Sequence, residues 1–301
     1  MIKQPSTLAE IVKQRHGEHI THDYSICYKN VHHFTWESVL LIIKELHNIY
    51  PGDTVLIPDY PEYPDGLIRR IVGPDIKLET RHIELATWPN LKVNTMLYQT
   101  MSGIQLAPSL CAKLMTYIKP KDVPQPSVFL KVRLHNRRWM PASNVQKLID
   151  YLKPNYNVIV GLHPTIEQIS RTVHLEGENQ ILDPLNGRIL EIPSYKDCTV
   201  VIDSTYEEQL EYAKACYAWF GLASGAGSVY GAIANIKQVA IMPIKNCEND
   251  SAMGPKDDSK SIVLTDGKET CDIYGRYQHY DDVFVPVERV IETFNKLRKC
   301  R

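Results

Sequence analysis

Two segments of this chain combine residue types and spacing suited to holding a phosphate or diphosphate. The first runs from Ala218 to Pro243 and reads strand, small-residue turn, helix, strand. Ser224, Gly225, Gly227 and Ser228 lack bulk, so a ligand can come close to the backbone. Their N–H groups are expected at a helix start, where the helix dipole favours an anion. The second segment is Lys131-Val132-Arg133-Leu134-His135-Asn136-Arg137-Arg138-Trp139. It gathers cations at the carboxyl end of a strand, the end that faces the ligand crevice in open α/β sheets. Arg133, Arg137 and Arg138 offer planar bidentate donors to phosphate oxygens. Each segment also has an ordinary reading. A tight strand-to-helix turn uses the same glycines with no ligand, and a basic loop can simply be solvated. Both segments fall at strand ends in one half of the chain, so together they can converge on one anion.

Proton transfer has its own candidates in the first half. His32 and His33 are expected on a polar loop, Asn30-Val31-His32-His33-Phe34, after the first strand. Imidazole suits proton transfer near neutral pH. Asp59, Glu62 and Asp65 follow the second strand and are carboxylate alternatives. Each has the plain reading of a loop residue. His16, His19 and His22, spaced three apart, read as a solvated helix end or loop. Asp203-Ser204 reads as a helix cap. No cluster of His and carboxylates has metal-ligand spacing, so no metal is expected. The seven cysteines, at 27, 111, 198, 216, 247, 271 and 300, form no C-x-x-C pair. That leaves a zinc ribbon unsupported and fits a reducing compartment.

The elements that must position these residues follow from the hydrophobic pattern. A strand at Asp23–Tyr28, a helix from Trp36 to about Asn48 capped by Thr35, a strand at Thr54–Pro58, a helix near Asp65–Val72 and a strand around Lys77–Leu85 give βαβαβ, the half-unit of a nucleotide-type fold. Thr95–Thr100 can be a fourth strand and Pro108–Ile118 a helix. Lys119–Pro126 holds three prolines and reads as a domain linker. A second α/β series follows: strands at Ser127–Leu134, Asn157–Leu162, Thr199–Asp203, Ala218–Ala223 and Gln238–Met242, with helices between them. Asp183-Pro184-Leu185-Asn186-Gly187 marks a hairpin or irregular insertion. Lys245–Lys260 reads as a surface loop and Pro286–Lys299 as a final helix. The expected fold is α/β with two Rossmann-like domains, 1–120 and 126–301, facing each other across a crevice.

Composition narrows the function classes. The 301 residues are 44% hydrophobic and 23% charged, with 34 Lys+Arg against 35 Asp+Glu. A net charge of -1 argues against general nucleic-acid coating. No window approaches the roughly 20 apolar residues of a membrane helix, and the N-terminus lacks a signal-peptide core. A cytoplasmic protein is expected.

The second half resembles the nucleotide-sugar-binding domain of GT-B glycosyltransferases over about residues 125–245. The segment Phe220-Gly221-Leu222-Ala223-Ser224-Gly225-Ala226-Gly227-Ser228, followed by Gln238-Val239-Ala240-Ile241-Met242-Pro243, is similar to the heptosyltransferase-like branch. The Arg133–Arg138 loop resembles the donor-side loop of fucosyltransferase-like members. The resemblance implies transfer of a hexosyl or heptosyl group from a nucleotide-diphosphate donor to the hydroxyl of a glycan, lipid or protein acceptor, without a metal or other cofactor. Ser224, Gly225, Gly227 and Ser228, with Arg133, Arg137 or Arg138, would stabilise the departing diphosphate, and His32, His33 or Asp59 would take the acceptor proton. It also implies that the final helix packs back on the first half.

Other readings compete. Gly225-Ala226-Gly227 looks like the start of a nicotinamide-dinucleotide fingerprint, although several strands precede it. Pro51–Pro58 with Tyr60-Pro61-Glu62-Tyr63 resembles a short segment of PLP aminotransferases, with Ser259-Lys260 as the Schiff-base pair. A non-catalytic nucleotide- or sugar-binding protein, or a nucleotide-sugar epimerase, would share the diphosphate site.

Overall fold

Parallel strands covered on both faces need near-continuous apolar runs, and Val128-Phe129-Leu130 in the second half is such a run, with all three side chains buried. The structure is a computed structural model. It describes residues 19–24, 31–59, 63–82, 107–133, 142–163, 173–174, 180–183, 188–191, 194–202, 204–222, 230–241, 260–264 and 285–299. The chain divides into two units, Met1–Met101 and Ser102–Arg301.

In the first unit, β1 (Thr21–Asp23), α1 (Val31–Glu45), β2 (Thr54–Asp59), α2 (Asp65–Val72) and β3 (Lys77–His82) follow in βαβαβ order, and the three strands form one parallel sheet β1-β2-β3. Trp36 and Ser38 through Ile43 of α1 are all buried, so this helix is covered nearly all round. α2 buries only the stripe Leu67, Ile68 and Ile71. It stops at Gly73, whose φ of 87° is a conformation that side chains with a Cβ resist. Asp53, buried just before β2, accepts the backbone N–H groups of Ile20 (3.0 Å) and Tyr50 (2.9 Å) and bonds the His22 ring at 3.0 Å. His22 is therefore a half-buried strut, not the solvated residue its spacing predicts.

In the second unit, α3 (Pro108–Thr116) precedes β4 (Ser127–Arg133), α4 (Ala142–Leu152) and β5 (Asn157–His163). A small antiparallel sheet follows, β6 (Val173–His174), β7 (Gln180–Asp183) and β8 (Arg188–Glu191). Asp183 pairs with Arg188, which matches the hairpin read from the sequence. Then come β9 (Thr199–Ile202), α5 (Tyr206–Ala215), β10 (Ala218–Leu222), α6 (Tyr230–Ile233), β11 (Lys237–Ile241), β12 (Ser261–Leu264) and α7 (Val287–Lys299). The six-stranded sheet has the order β12-β11-β10-β4-β5-β9, and every pairing in it is parallel.

Residue alternation sorts this sheet into two faces. Val128, Leu130, Val132, Phe220 and Ile241 pack with Leu148 and Ile149 of α4 and with Val290, Phe294 and Leu297 of α7. The other face is aromatic. Phe129 stacks on Trp219 at 4.4 Å between ring centres and lies 5.1 Å from Tyr212 of α5, and Trp219 lies 5.4 Å from Tyr230 of α6. Gly161 of β5 makes room for the Phe129 ring, which a Cβ there would strike. α3 is bonded into this unit, because Lys214 Nζ of α5 donates to the carbonyls of Met115 and Ile118, each at 2.7 Å. The proline-rich segment is anchored too, with Lys121 N–H on Glu211 O and Gln125 Nε2 on Ala215 O.

Further local expectations change, beginning with β1, which starts at Thr21 instead of Asp23. α1 starts at Val31 instead of Trp36, so His32 and His33 stand in its first turn, not on a loop. Nothing between Val31 and Thr35 breaks a helix, and the apolar run beyond Trp36 supports one more turn upstream. The cap of α5 is Thr205, in a capping box with Glu208, instead of Asp203-Ser204. β12 arises where the sequence suggests only loop and its end. The strand expected at Thr95–Thr100 lies outside the described residues.

Candidate functional site

The strand order places side by side the two strands from which the phosphate-suited segments continue. From β4 the chain steps outward to β5 and β9, then crosses back to β10 on the other flank of β4 and continues to β11 and β12. The point where the order reverses, between β4 and β10, is where open α/β sheets bind ligands, outside the carboxyl ends of the strands. β4 and β10 are in direct register there, Val132 opposite Leu222 and Lys131 opposite Gly221. β4 ends at Arg133, placed by its backbone, and β10 ends two residues before Ser224. Arg137, Arg138, Ser224, Gly225, Gly227 and Ser228 lie outside the described residues.

Lys131 is a residue of this region that composition alone did not single out. It is only 4% exposed. Its Nζ donates to Gln209 Oε1 of α5 and lies 4.8 Å from the ring centre of Tyr230, the first residue of α6. Gln209 is itself fixed, with Nε2 donating to Ser204 O at 3.0 Å. Glycine stands at the same level on both neighbouring strands, Gly221 and Gly161.

In the first unit the proton-transfer candidates share one edge. His32 and His33, placed by their backbone, open the helix that follows β1. Asp59 ends β2, and Asp65 opens the helix that follows it. Partial burial, and then the charge of Asp59, hold the Asp65 carboxyl above the usual aspartate range. Glu62 lies outside the described residues. The His22–Asp53 pair has the form of a catalytic dyad but sits at the amino end of the sheet, His22 level with Val55 and Asp53 preceding β2. Its role is structural.

Burial pushes the Cys111 and Cys216 thiols up to about 12, which removes them as nucleophiles. Lys260 precedes β12 and donates to Asn235 Oδ1 at 2.9 Å, at the amino edge of the sheet, away from the strand ends that bind ligands. Among the described residues no three His, Cys, Asp or Glu side chains gather as a metal seat, and no helix is long and apolar enough to cross a membrane.

No protein-family model matches the chain, and no curated protein matches it in sequence. Solved structures do match in fold. The iron-containing dodecameric glycosyltransferase TibC from enterotoxigenic E. coli aligns with a TM-score of 0.51 and 12% identity, over 93% of this chain and 76% of that one. E. coli heptosyltransferase WaaC with ADP gives 0.49 at 8% identity, over 93% and 100%. E. coli ADP-heptose LPS heptosyltransferase II gives 0.46 at 12%, over 93% and 98%. The two scores below 0.5 add no weight. The likeness to TibC is one of fold alone: mixed α/β with parallel sheets. The iron is a property of TibC; the described residues here form no seat for it.

Proposed function

We propose that the chain is a glycosyltransferase that moves a sugar from a nucleoside-diphosphate donor to an acceptor hydroxyl. The observation that carries this reading is the adjacency of β4 and β10 at the switch point. The arginine segment and the Ser-Gly segment leave the sheet from neighbouring strand ends, so both can reach one diphosphate. The fold shared with TibC supports the same class.

In this reading the glycosidic C–O bond to the diphosphate breaks and negative charge grows on the leaving oxygen. Arg133, Arg137 and Arg138 donate to that oxygen and its neighbours, and the N–H groups of Ser224, Gly225, Gly227 and Ser228 complete the cradle. Charge compensation comes from these protein groups, without a metal. The acceptor proton passes to a base of the first unit, Asp59, His32 or His33. In this reading the first unit is the acceptor side and the second unit the donor side. The site of action is the cytoplasm.

The nicotinamide reading has less support. Its glycine fingerprint belongs to the first strand-to-helix turn of a dinucleotide domain, whereas Gly225 follows the fourth strand of this sheet.

The test is release of free nucleoside diphosphate from UDP-, GDP- and ADP-sugars by purified protein, with and without added acceptor glycans. Turnover of one donor, lost in Arg137→Ala/Arg138→Ala, is the expected result. Hydride transfer with NAD(P) and no turnover of any nucleotide sugar would overturn the reading.

A further inference from the structure

Edge strands present a row of unpaired N–H and C=O groups, and folded chains ordinarily blunt them with charged side chains or proline. The first sheet follows that rule. Its edge strand β3 carries Lys77, Glu79 and Arg81, all exposed. β9, at one edge of the six-stranded sheet, does not. Thr199-Val200-Val201-Ile202 holds no charge and no proline, and among the described residues its strand partner is β5 alone. Val200 is 38% exposed and Ile202 42%. The register sets them opposite Val160 and Leu162, so they continue the apolar sheet face that packs with α4 and α7, yet they reach water. The strand is also held ready. The Gln146 side chain of α4 accepts Lys196 N–H at 3.0 Å and donates to Lys196 O at 3.3 Å, and Lys153 Nζ donates to Asp197 Oδ2 at 2.7 Å. Beyond the strand, the capping box of Thr205 and Glu208 fixes the chain again.

We propose that β9 is the seam of a two-fold dimer: a second copy of this chain adds its own β9 antiparallel and joins the two six-stranded sheets into one. The occupant follows from self-complementarity. A two-fold axis normal to the sheet keeps each face common to both copies, so residues that stand opposite each other share a face. Centred on Val201, the pairing sets Val200 against Ile202 of the partner subunit, and Ile202 against the partner's Val200. Both exposed apolar side chains of each copy then meet one of the other's, the kind of cross-strand pair that stabilises a sheet. Centring on Val200 would set Ile202 against the partner's Cys198, which is already packed against its own core, and centring on Ile202 would set Val200 against the partner's Ser204, which is buried. No like charges face each other along the four residues. The seam is small beside the roughly 800 Å² per partner of a standard interface, so association is weak and rises with concentration. Antiparallel pairing points the carboxyl ends of the two sheets in opposite directions and leaves both open.

The test is sedimentation velocity of the whole chain over a range of concentration, where wild type should show a monomer–dimer equilibrium. Val200→Lys and, separately, Ile202→Asp set a charge against an apolar side chain of the partner at both ends of the seam. Each should weaken dimerisation by about tenfold or more. Both positions face water in the monomer, so each variant should keep the wild-type thermal midpoint at low concentration. An equimolar mixture of the two variants should dimerise again, because the mixed pair sets the new ammonium against the new carboxylate at one end and keeps Ile202 against Val200 at the other. Hydrogen exchange of wild type reads the seam without any substitution: protection at Thr199–Ile202 should rise as the dimer forms. Wild type that stays monomeric up to about 1 mM, a folded variant that dimerises like wild type, a mixture of folded variants that stays monomeric, or a dimer that forms without protecting β9 would each overturn the proposal.

Discussion

Val132 of β4 and Leu222 of β10 stand opposite each other in parallel register, next to the point where the strand order of the second sheet reverses. Chain connectivity takes Val132 directly into Arg133 and takes Leu222, two residues on, into Ser224. The two segments lie some ninety positions apart in sequence but start from adjacent points on one sheet edge. The donor-site account rests on this pairing. It also explains why either segment alone reads equally well as an ordinary turn or loop.

The aromatic face beneath that edge depends on one missing side chain. A Cβ at Gly161 would collide with the Phe129 ring, which is pinned by Trp219 at 4.4 Å and 4°. Gly161→Ala should lower stability by about 1–3 kcal/mol, as overpacking does, and alter near-ultraviolet circular dichroism. Adding Phe129→Leu should recover part of the loss. A Gly161→Ala protein as stable as wild type would contradict this packing.

Asp65 should titrate above the ordinary aspartate range, first because of partial burial and then because of Asp59. The folded chain then holds this proton more tightly than the unfolded one. Its contribution to stability is present below the unfolded pKa and is lost as pH rises through the folded pKa. Both side chains keep wide contact with water despite the partial burial of Asp65, so the effect on stability is small. Carbon-detected NMR titration should show the Asp65 midpoint fall in Asp59→Asn. If Asp59 is the acceptor base, the same variant should lose roughly 10²–10⁴ in kcat. Unchanged turnover would pass the role to His32 or His33.

Helix α5 carries Gln209, and its first turn is held by the capping box of Thr205 and Glu208. Thr205→Ala should cost about 1 kcal/mol in denaturant unfolding. Backbone hydrogen bonding from Thr205 is the largest cause that lowers the Glu208 pKa. That contribution is present at neutral pH and is lost as pH falls through the folded value. Glu208→Gln should therefore flatten the acid side of the stability profile.

Residues 102–301 should fold as a fragment and bind the same nucleoside diphosphate as the whole chain. A shorter fragment, 126–301, removes α3 together with buried Leu114 and Ile118. It also strands Lys214, which bonds the carbonyls of Met115 and Ile118. Losing those two side chains alone should cost about 3–6 kcal/mol. Equal stability of the two fragments would show that α3 contributes nothing to this unit.

Much of this architecture is legible in local pattern. The runs Val128–Leu130, Val158–Val160 and Val239–Ile241 are apolar, short and bounded by turn residues, and each is a buried strand. What resisted reading depends on distant partners. β12 is four residues after a long polar stretch, and it exists because β11 offers it a parallel edge. Thr35 carries a cap signal, but the buried run beyond it overrides that signal and α1 starts at Val31. Asp53 became a strut only when β1 brought His22 and the Ile20 N–H to it. Lys131 reads as one more basic residue in a basic segment. Its contacts with Gln209 and Tyr230 come from helices far along the chain.

The central claim is that the edge shared by β4 and β10 holds a nucleoside diphosphate. Its most direct test is the thermal midpoint of the whole chain against UDP, GDP, ADP, CMP, NAD, NADP and PLP, because a ligand that binds only the folded state raises apparent stability by mass action. The account predicts a clear rise with one nucleoside diphosphate, abolished in Arg137→Ala/Arg138→Ala. A rise with NAD, NADP or PLP alone would contradict it.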